Sequence, residues 1–281
     1  MHPIIYLNNV MVEATKARVA PLSYAMLYGR GVFTTVAVYY HAPFLWPKHW
    51  EQLVHDAEHL QIDCSPYVEK TTREAVQKVI AVNNVEEGCA RVVLLARSGR
   101  DLRKSKGAKD SDLLIMSSER QIIPAAGLTL AISPFRANTL SPLVGIKSVN
   151  YLERVLALEE AQEREFDEAV VLNERGEVVS AIMANIFWVK DGTVHTPALS
   201  TGALPGMTRA ATIDLAEKHF IPLVEGVYEL SDLTDADEIF LTSANLGVAI
   251  VTTFDFRQYS VAIGSVAARL FDSFRALVDI S

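Results

Sequence analysis

Leu143-Val144-Gly145-Ile146-Lys147-Ser148-Val149-Asn150-Tyr151 places one lysine between an apolar, strand-like segment and the start of a helix. Other lysines, such as Lys104, Lys106 and Lys109, sit in polar company, where solubility accounts for them. Taken alone, Lys147 has two readings. It is a surface cap at a helix start, or it is an amine in a pocket that lowers its pKa and makes it nucleophilic toward an aldehyde.

Working outward, the spacing of Leu152, Val155, Leu156 and Leu158 predicts a helix near 150–165 with an apolar face. Glu168 to Leu172 turns through Asn173-Glu174-Arg175-Gly176 into Glu177-Val178-Val179, a hairpin. A second hairpin joins Ala184–Val189 to Thr193–His195 through Lys190-Asp191-Gly192. A helix follows Pro205-Gly206 to about His219, strands lie near 238–242 and 248–254, and a helix at about 265–278 closes the chain. Upstream, Ile4–Leu7 and Val10–Val12 flank Asn8-Asn9 as an opening hairpin. The β-branched and aromatic run 32–40 predicts a long strand. Helices over about Pro47–Leu60 and from near Pro66 (carrying Val68, Ala75, Val76, Val79 and Ile80) precede strands at 90–96 and 113–116, with a charged surface loop at 97–112 between those strands. Another strand is expected at 128–132. The elements mix without regular alternation, so the fold class is α+β. The polar, proline-bearing stretch 119–126 is the expected linker between an N-terminal domain, 1–118, and a C-terminal one, 127–281.

The 281 residues suffice for two domains with real cores. Lys+Arg 26 against Asp+Glu 34 leaves a net charge of −8, which argues against a protein built to coat nucleic acid or anionic lipid. The two cysteines, Cys64 and Cys89, are too few for a disulfide framework, and a reducing cytoplasm is expected. The N-terminus lacks the pattern of a signal peptide, and no apolar run reaches membrane-helix length.

Gly145-Ile146-Lys147-Ser148-Val149-Asn150-Tyr151-Leu152-Glu153 resembles the cofactor-lysine motif of the class IV aminotransferases, pyridoxal-phosphate enzymes of fold type IV. The resemblance continues through Asp167–Gly176, Ala184–Gly192, Thr196-Pro197, Gly202–Arg209 and Ala236–Ser243, and Leu27–Thr35 matches the family's active-site strand. It implies two α/β domains with the cofactor cleft between them, and a homodimer whose partner chain closes each site. It also implies that Lys147 holds pyridoxal 5'-phosphate as a Schiff base and shuttles the substrate's α-proton. Tyr151 would reach the phenolic oxygen and Asn185 would neighbour the ring. Met207 and Thr208 open a helix whose free amides suit a phosphate, which Ser243 and Ala244 would share. Tyr28, Arg30, Phe33 and Thr35 are the expected substrate contacts.

Two positions depart from the family pattern. Ser180 stands where a glutamate usually pairs with the pyridine nitrogen, and Gln52 where an arginine usually grips the phosphate. A serine hydroxyl favours a neutral pyridine and a weaker electron sink than transamination prefers; other pyridoxal-phosphate families that perform β-elimination place a serine there. Arg30 stands where the family commonly has aspartate. Phe33-Thr34-Thr35 looks like the aminodeoxychorismate lyases, which release pyruvate and 4-aminobenzoate. A branched-chain or D-amino-acid transaminase is the alternative, and a degenerate member without cofactor chemistry the third reading.

Other motifs are set aside. His49, His55 and His59 are expected to be solvated helix histidines, and no metal site is expected. Gly29-Arg30-Gly31 precedes a strand, unlike a dinucleotide fingerprint. Ser180 lacks hydrolase context. Trp46, Trp50, Tyr39 and Tyr40 are expected to fill cores or an interface.

Overall fold

In the computed structural model, which describes residues 1–97, 110–259, 262 and 264–280, the chain forms two compact units. The first is Met1–Arg120 with Ile146–Tyr151, and the second is Gln121–Gly145 with Leu152–Ser281. The first boundary falls between Arg120 and Gln121. The segment Ile146–Tyr151 does not go with the C-terminal half: Ser148 bridges Val32 and Ile146 enters the first unit's core.

The first unit holds β1 (Ile4–Leu7), β2 (Val10–Glu13), α1 (Tyr24–Tyr28), β3 (Gly31–Tyr39), β4 (Ala42–Pro43), α2 (Trp46–His59), α3 (Glu69–Val82), β5 (Gly88–Ala96) and β6 (Ser111–Ser118). Its strands run in the order β2-β1-β6-β5-β3-β4, with every pair antiparallel. Asn8 and Asn9 both adopt positive φ, the geometry that a two-residue hairpin needs to follow the strands' twist. Leu53 and Ala57 of α2, and Ala75, Val76, Val79 and Ile80 of α3, form apolar stripes on a core with Val32, Val36, Val92 and Leu94. Trp46 joins that core, with Trp50 stacked on it at 6.1 Å between centroids. Tyr39 is buried and Tyr40 exposed.

Two expectations need correction here. Leu27 and Tyr28 end α1 rather than open the long strand; Gly29 caps that helix in the left-handed region at φ +66°. Val68 is the exposed residue before α3, not part of its buried stripe. Most of the charged loop expected at 97–112, residues 98–109, lies outside the described residues, while Arg97 and Asp112 at its flanks form an ion pair.

The second unit contains β7 (Leu128–Ala137), α4 (Leu152–Glu163), β8 (Glu168–Asn173), β9 (Val178–Ala181), β10 (Asn185–Lys190), β11 (Thr193–Pro197), α5 (Met207–Lys218), β12 (Leu223–Gly226), α6 (Leu230–Thr234), β13 (Glu238–Ser243), β14 (Gly247–Phe254), β15 (Arg257–Gln258) and α7 (Val266–Ile280). The sheet order is β12-β11-β10-β13-β14-β7-β8-β9, with β15 on β14. The β11–β12, β14–β7 and β7–β8 pairs are parallel and the rest antiparallel. Leu128, Leu130, Val170, Ile186, Trp188, Ile239, Leu241 and Val251 fill the core.

Helix α4 reverses its expected facing. Ala157 and Ala161 are its buried pair, while Leu152, Val155 and Leu156 are exposed, Leu152 to 68%. Small alanines let the helix lie close on β7 and β8, which turns Leu152 and Leu156 outward and leaves Leu158, half-buried, against the Ala157–Ala161 cluster. Among the described residues, no helix is long and apolar enough to cross a membrane.

Candidate active site

Lys147 is held by the first unit's sheet. The Phe33 N–H donates to its carbonyl at 2.8 Å, and the Val149 N–H donates to Gly31 O at 3.0 Å, so 147–149 run beside the start of β3. The Lys147 N–H donates to Asp56 Oδ2 of α2 at 3.0 Å. The side chain, half-buried, places Nζ 5.0 Å from the Phe33 ring centroid. Tyr151 meets that ring edge-on at 5.2 Å, and the Arg91 guanidinium lies 4.5 Å from its centroid. Two cations and a phenol-bearing ring therefore gather on one buried aromatic. The segment's approach needs Gly29: a Cβ there would stand 2.1 Å from Asn150 Oδ1, and Asn150 Nδ2 donates to Gly29 O at 2.7 Å.

His49 is not solvated. It is 4% exposed, and its Nδ1 shares a 2.7 Å hydrogen bond with Thr34 Oγ1. Burial, aided by the charge of Lys147, holds its pKa down to about 3, so the ring is neutral. His55 and His59 are exposed, and among the described residues no cluster of metal-ligating side chains occurs.

The remaining expected residues of this unit differ in their engagement. Arg30 Nε donates to Leu60 O at 2.9 Å, closing the C-terminal end of α2. Tyr28 is exposed beside Tyr24, and Gln52 is half-buried on α2. Thr35 lies opposite Arg91 in the β3–β5 register, with Arg91 Nε 3.4 Å from its hydroxyl. In the sequence Arg91 is marked only as a single charge inside the apolar run Cys89–Ala96.

The second unit brings a different set together. Asn185 and Thr242 face each other in the β10–β13 register. Asn185 Nδ2 donates to Leu204 O at 2.9 Å, which ties β10 to the turn before α5. A Cβ at Gly206 would stand 2.2 Å from Asn185 Oδ1, so a side chain there would displace the Asn185 amide from its place against the turn. Gly206 is the N-cap of α5 and offers no side-chain cap, so the helix start at Met207 and Thr208 keeps amides for an anion. Arg209, buried, donates to Pro197 O at 3.0 Å and pairs with Glu225, anchoring the same turn. Ser243 Oγ accepts from the Leu246 N–H at 3.1 Å, and Ala244 follows at the end of β13.

Ser180, 3% exposed on β9, and Thr242, 1% exposed, bury hydroxyls that have no hydrogen-bond partner among the described residues. Buried polar groups are rarely left so, and a ligand atom would satisfy each. Behind β9, Glu168 accepts from the Met183 N–H at 3.1 Å. Burial pushes its carboxyl up to about 7 against the opposing pull of the Met183, Ile182 and Ala169 amides and of Arg154. Each unit thus carries groups whose chemistry suits part of an aldehyde-bearing aromatic phosphate: the first an amine beside an aromatic ring, the second an amide-rich helix start and buried hydroxyls.

Comparisons with known proteins agree. The family model described as amino-transferase class IV matches residues 31–254. Aminodeoxychorismate lyase of Bacillus subtilis is 30% identical over 95% of this chain and 92% of its own length. D-alanine aminotransferase of Listeria monocytogenes is 29% identical over 96% and 94%. The branched-chain aminotransferase of Thermoproteus uzoniensis, solved with norvaline, superposes with a TM-score of 0.91 at 27% identity, covering 99% of this chain and 95% of that one. The match spans both units and includes every motif around Lys147 and Gly206, and the chain belongs to the class IV aminotransferases.

Proposed function

We propose that this chain is a pyridoxal-phosphate lyase of the aminodeoxychorismate type, releasing pyruvate and 4-aminobenzoate. The observation that carries the choice of chemistry is the buried, partnerless hydroxyl of Ser180. Pyridoxal 5'-phosphate, when bound, supplies an aldehyde for amines and a ring that draws electron density from the amine-bearing carbon. In this reading Lys147 provides the amine that holds the cofactor, and Tyr151 a hydroxyl for its phenolic oxygen. The Met207 and Thr208 amides, with Ser243, Ala244 and Gln52, serve its phosphate, and Asn185 keeps their turn in place. Ser180 meets the ring nitrogen. A hydroxyl does not stabilise a protonated pyridine as a carboxylate does, so the sink is weak.

A weak sink suits elimination. Lys147 takes the proton from the carbon that bears the amine, the carbon–oxygen bond at its neighbour breaks, and the ring becomes aromatic. The departing enolpyruvate takes up a proton to become pyruvate. Phe33 walls the amine, while Tyr28, Arg30 and Thr35 line the substrate side, with Arg91 as a cation for a substrate carboxylate. Incubation with 4-amino-4-deoxychorismate should yield 4-aminobenzoate. No product above a Lys147→Ala control defeats the reading. Borohydride reduction should add the cofactor's mass at Lys147, and no mass gain would leave a degenerate member without cofactor chemistry.

A transaminase is the second reading, favoured by the aminotransferases among the relatives. It predicts a shift of the cofactor's absorbance on adding branched-chain or D-amino acids. A flat spectrum across that panel counts against it.

A homodimer in a reducing cytoplasm completes the proposal. It is supported by exposed Leu152 and Leu156 on α4 and by the cysteines Cys64 and Cys89, which form no disulfide. Sedimentation of the purified chain tests the dimer.

A further inference from the structure

The first unit buries a second acid–base group next to Lys147 for which the proposed reaction has no assigned part. Asp56, 1% exposed on α2, accepts the Lys147 N–H through Oδ2 at 3.0 Å, while its Oδ1 stands 3.3 Å from Nδ1 of the exposed His55 ring. The other side of residue 147 is also held, because its carbonyl accepts from Phe33 at 2.8 Å. An uncharged acceptor such as serine or asparagine would satisfy a main-chain N–H. A buried carboxylate costs more, so its charge calls for a use beyond that one bond.

We propose that Asp56 is a positioning residue for the reacting amine: it pins the Lys147 main chain and sets a negative charge that holds the Lys147 side chain as ammonium to higher pH. The inference rests on the reading that Lys147 is the amine that takes and returns the substrate proton. A carrier of that kind needs a protonated form with lasting support between the two transfers.

Of the charges around the pair, Asp56 favours the Lys147 ammonium, and Arg91, a cation on the same Phe33 ring, opposes it. From α2, His49 is neutral and adds no cation. His55 sits on the outer side of the Asp56 carboxylate. From β5, Arg91 lies over Phe33, and Tyr151 closes the other edge of that ring. Burial raises the Asp56 pKa, against the pull of the Lys147 amide, His55 and the Lys147 charge. The last interaction is mutual: whatever Lys147 does to favour the carboxylate, the carboxylate does to favour the ammonium.

The test reads the amine itself. In chain cleared of bound aldehyde with hydroxylamine, formaldehyde and cyanoborohydride methylate amines, and peptide mass spectrometry across the lysine titration range gives the midpoint of Lys147, with exposed Lys78 as reference. Asp56→Asn keeps an acceptor for the Lys147 N–H and removes the charge. Its Lys147 midpoint should fall by about one pH unit, so that below both midpoints Lys147 is methylated about tenfold faster. Asp56→Ser should show the same fall, and Asp56→Glu should restore part of it. An unchanged Lys147 midpoint in Asp56→Asn overturns the proposal.

The reverse measurement needs no change at Asp56. In Lys147→Met the Asp56 carboxyl, followed by carbon NMR, should titrate higher than in the wild type, and an unmoved titration overturns the proposal as well. Neither readout uses the cofactor. If borohydride fixes no mass at Lys147, the functional reading fails while the coupling of the two side chains is still measured.

Discussion

The two units treat their buried polar groups in opposite ways. In the first, the polar groups around Lys147 are tied to their own unit: His49 to Thr34, Asp56 to the Lys147 amide, Arg30 to Leu60. In the second, Ser180 and Thr242 bury hydroxyls with no partner among the described residues. A pre-formed amine needs rigid support before substrate arrives, whereas a cofactor cradle has to leave polar atoms for its guest. The contrast extends to buried titratable groups. His49 is a base kept neutral, and Glu168 is an acid whose ionisation is deferred to about pH 7.

The largest effect should come from His49. Its pKa is near 6.5 in the unfolded chain and about 3 when folded. The unfolded chain therefore binds the extra proton first, and stability falls as pH drops through that window, by up to about 5 kcal/mol. Amide exchange in peptides of β3 and α2 should quicken on acidification, and His49→Gln should remove the slope. An equal slope in that variant would erase the first unit's half of the comparison.

Glu168 should act with the opposite sign. Its folded pKa of about 7 lies above the ordinary 4.5, so the folded chain holds the proton longer. Its contribution is favourable below pH 4.5 and declines as pH rises toward 7, by about 3 kcal/mol. Exchange in β8 and β9 should accelerate over that range, and Glu168→Gln, which keeps an acceptor for the Met183 amide, should level it.

The smallest effect sharpens the contrast most. Ser180→Ala and Thr242→Val remove orphaned hydroxyls, so the cofactor-free chain should gain about 1 kcal/mol each. Cofactor retention should weaken by about the same amount, roughly fivefold in dissociation constant. Variants in which neither quantity moves would show that these hydroxyls await no guest.

Much of this was legible in the linear chain because the signals are local. Asn8-Asn9 turns a hairpin wherever it lies between strand formers, and Pro205-Gly206 starts a helix through its own backbone preferences. The motif around Lys147 was legible through resemblance, and so was the family. Short elements such as α1, α6 and β12 were not, because four or five residues show too little periodicity to stand out from loop. His49 was read as solvated because a histidine on a helix carries no mark of which face it occupies.

Sequence alone determined the α+β class, the long strands and helices, the family and the lysine at its centre. Each follows from backbone preference, side-chain period or matched motifs within a few dozen residues. Tertiary structure alone decided that residues 146–151 side with the first unit, that Leu152 and Leu156 of α4 face out, and that Asp56 lies against Lys147 from ninety-one positions away. Those outcomes depend on which surfaces meet, a choice made by close packing and by the demand that buried polar groups find partners.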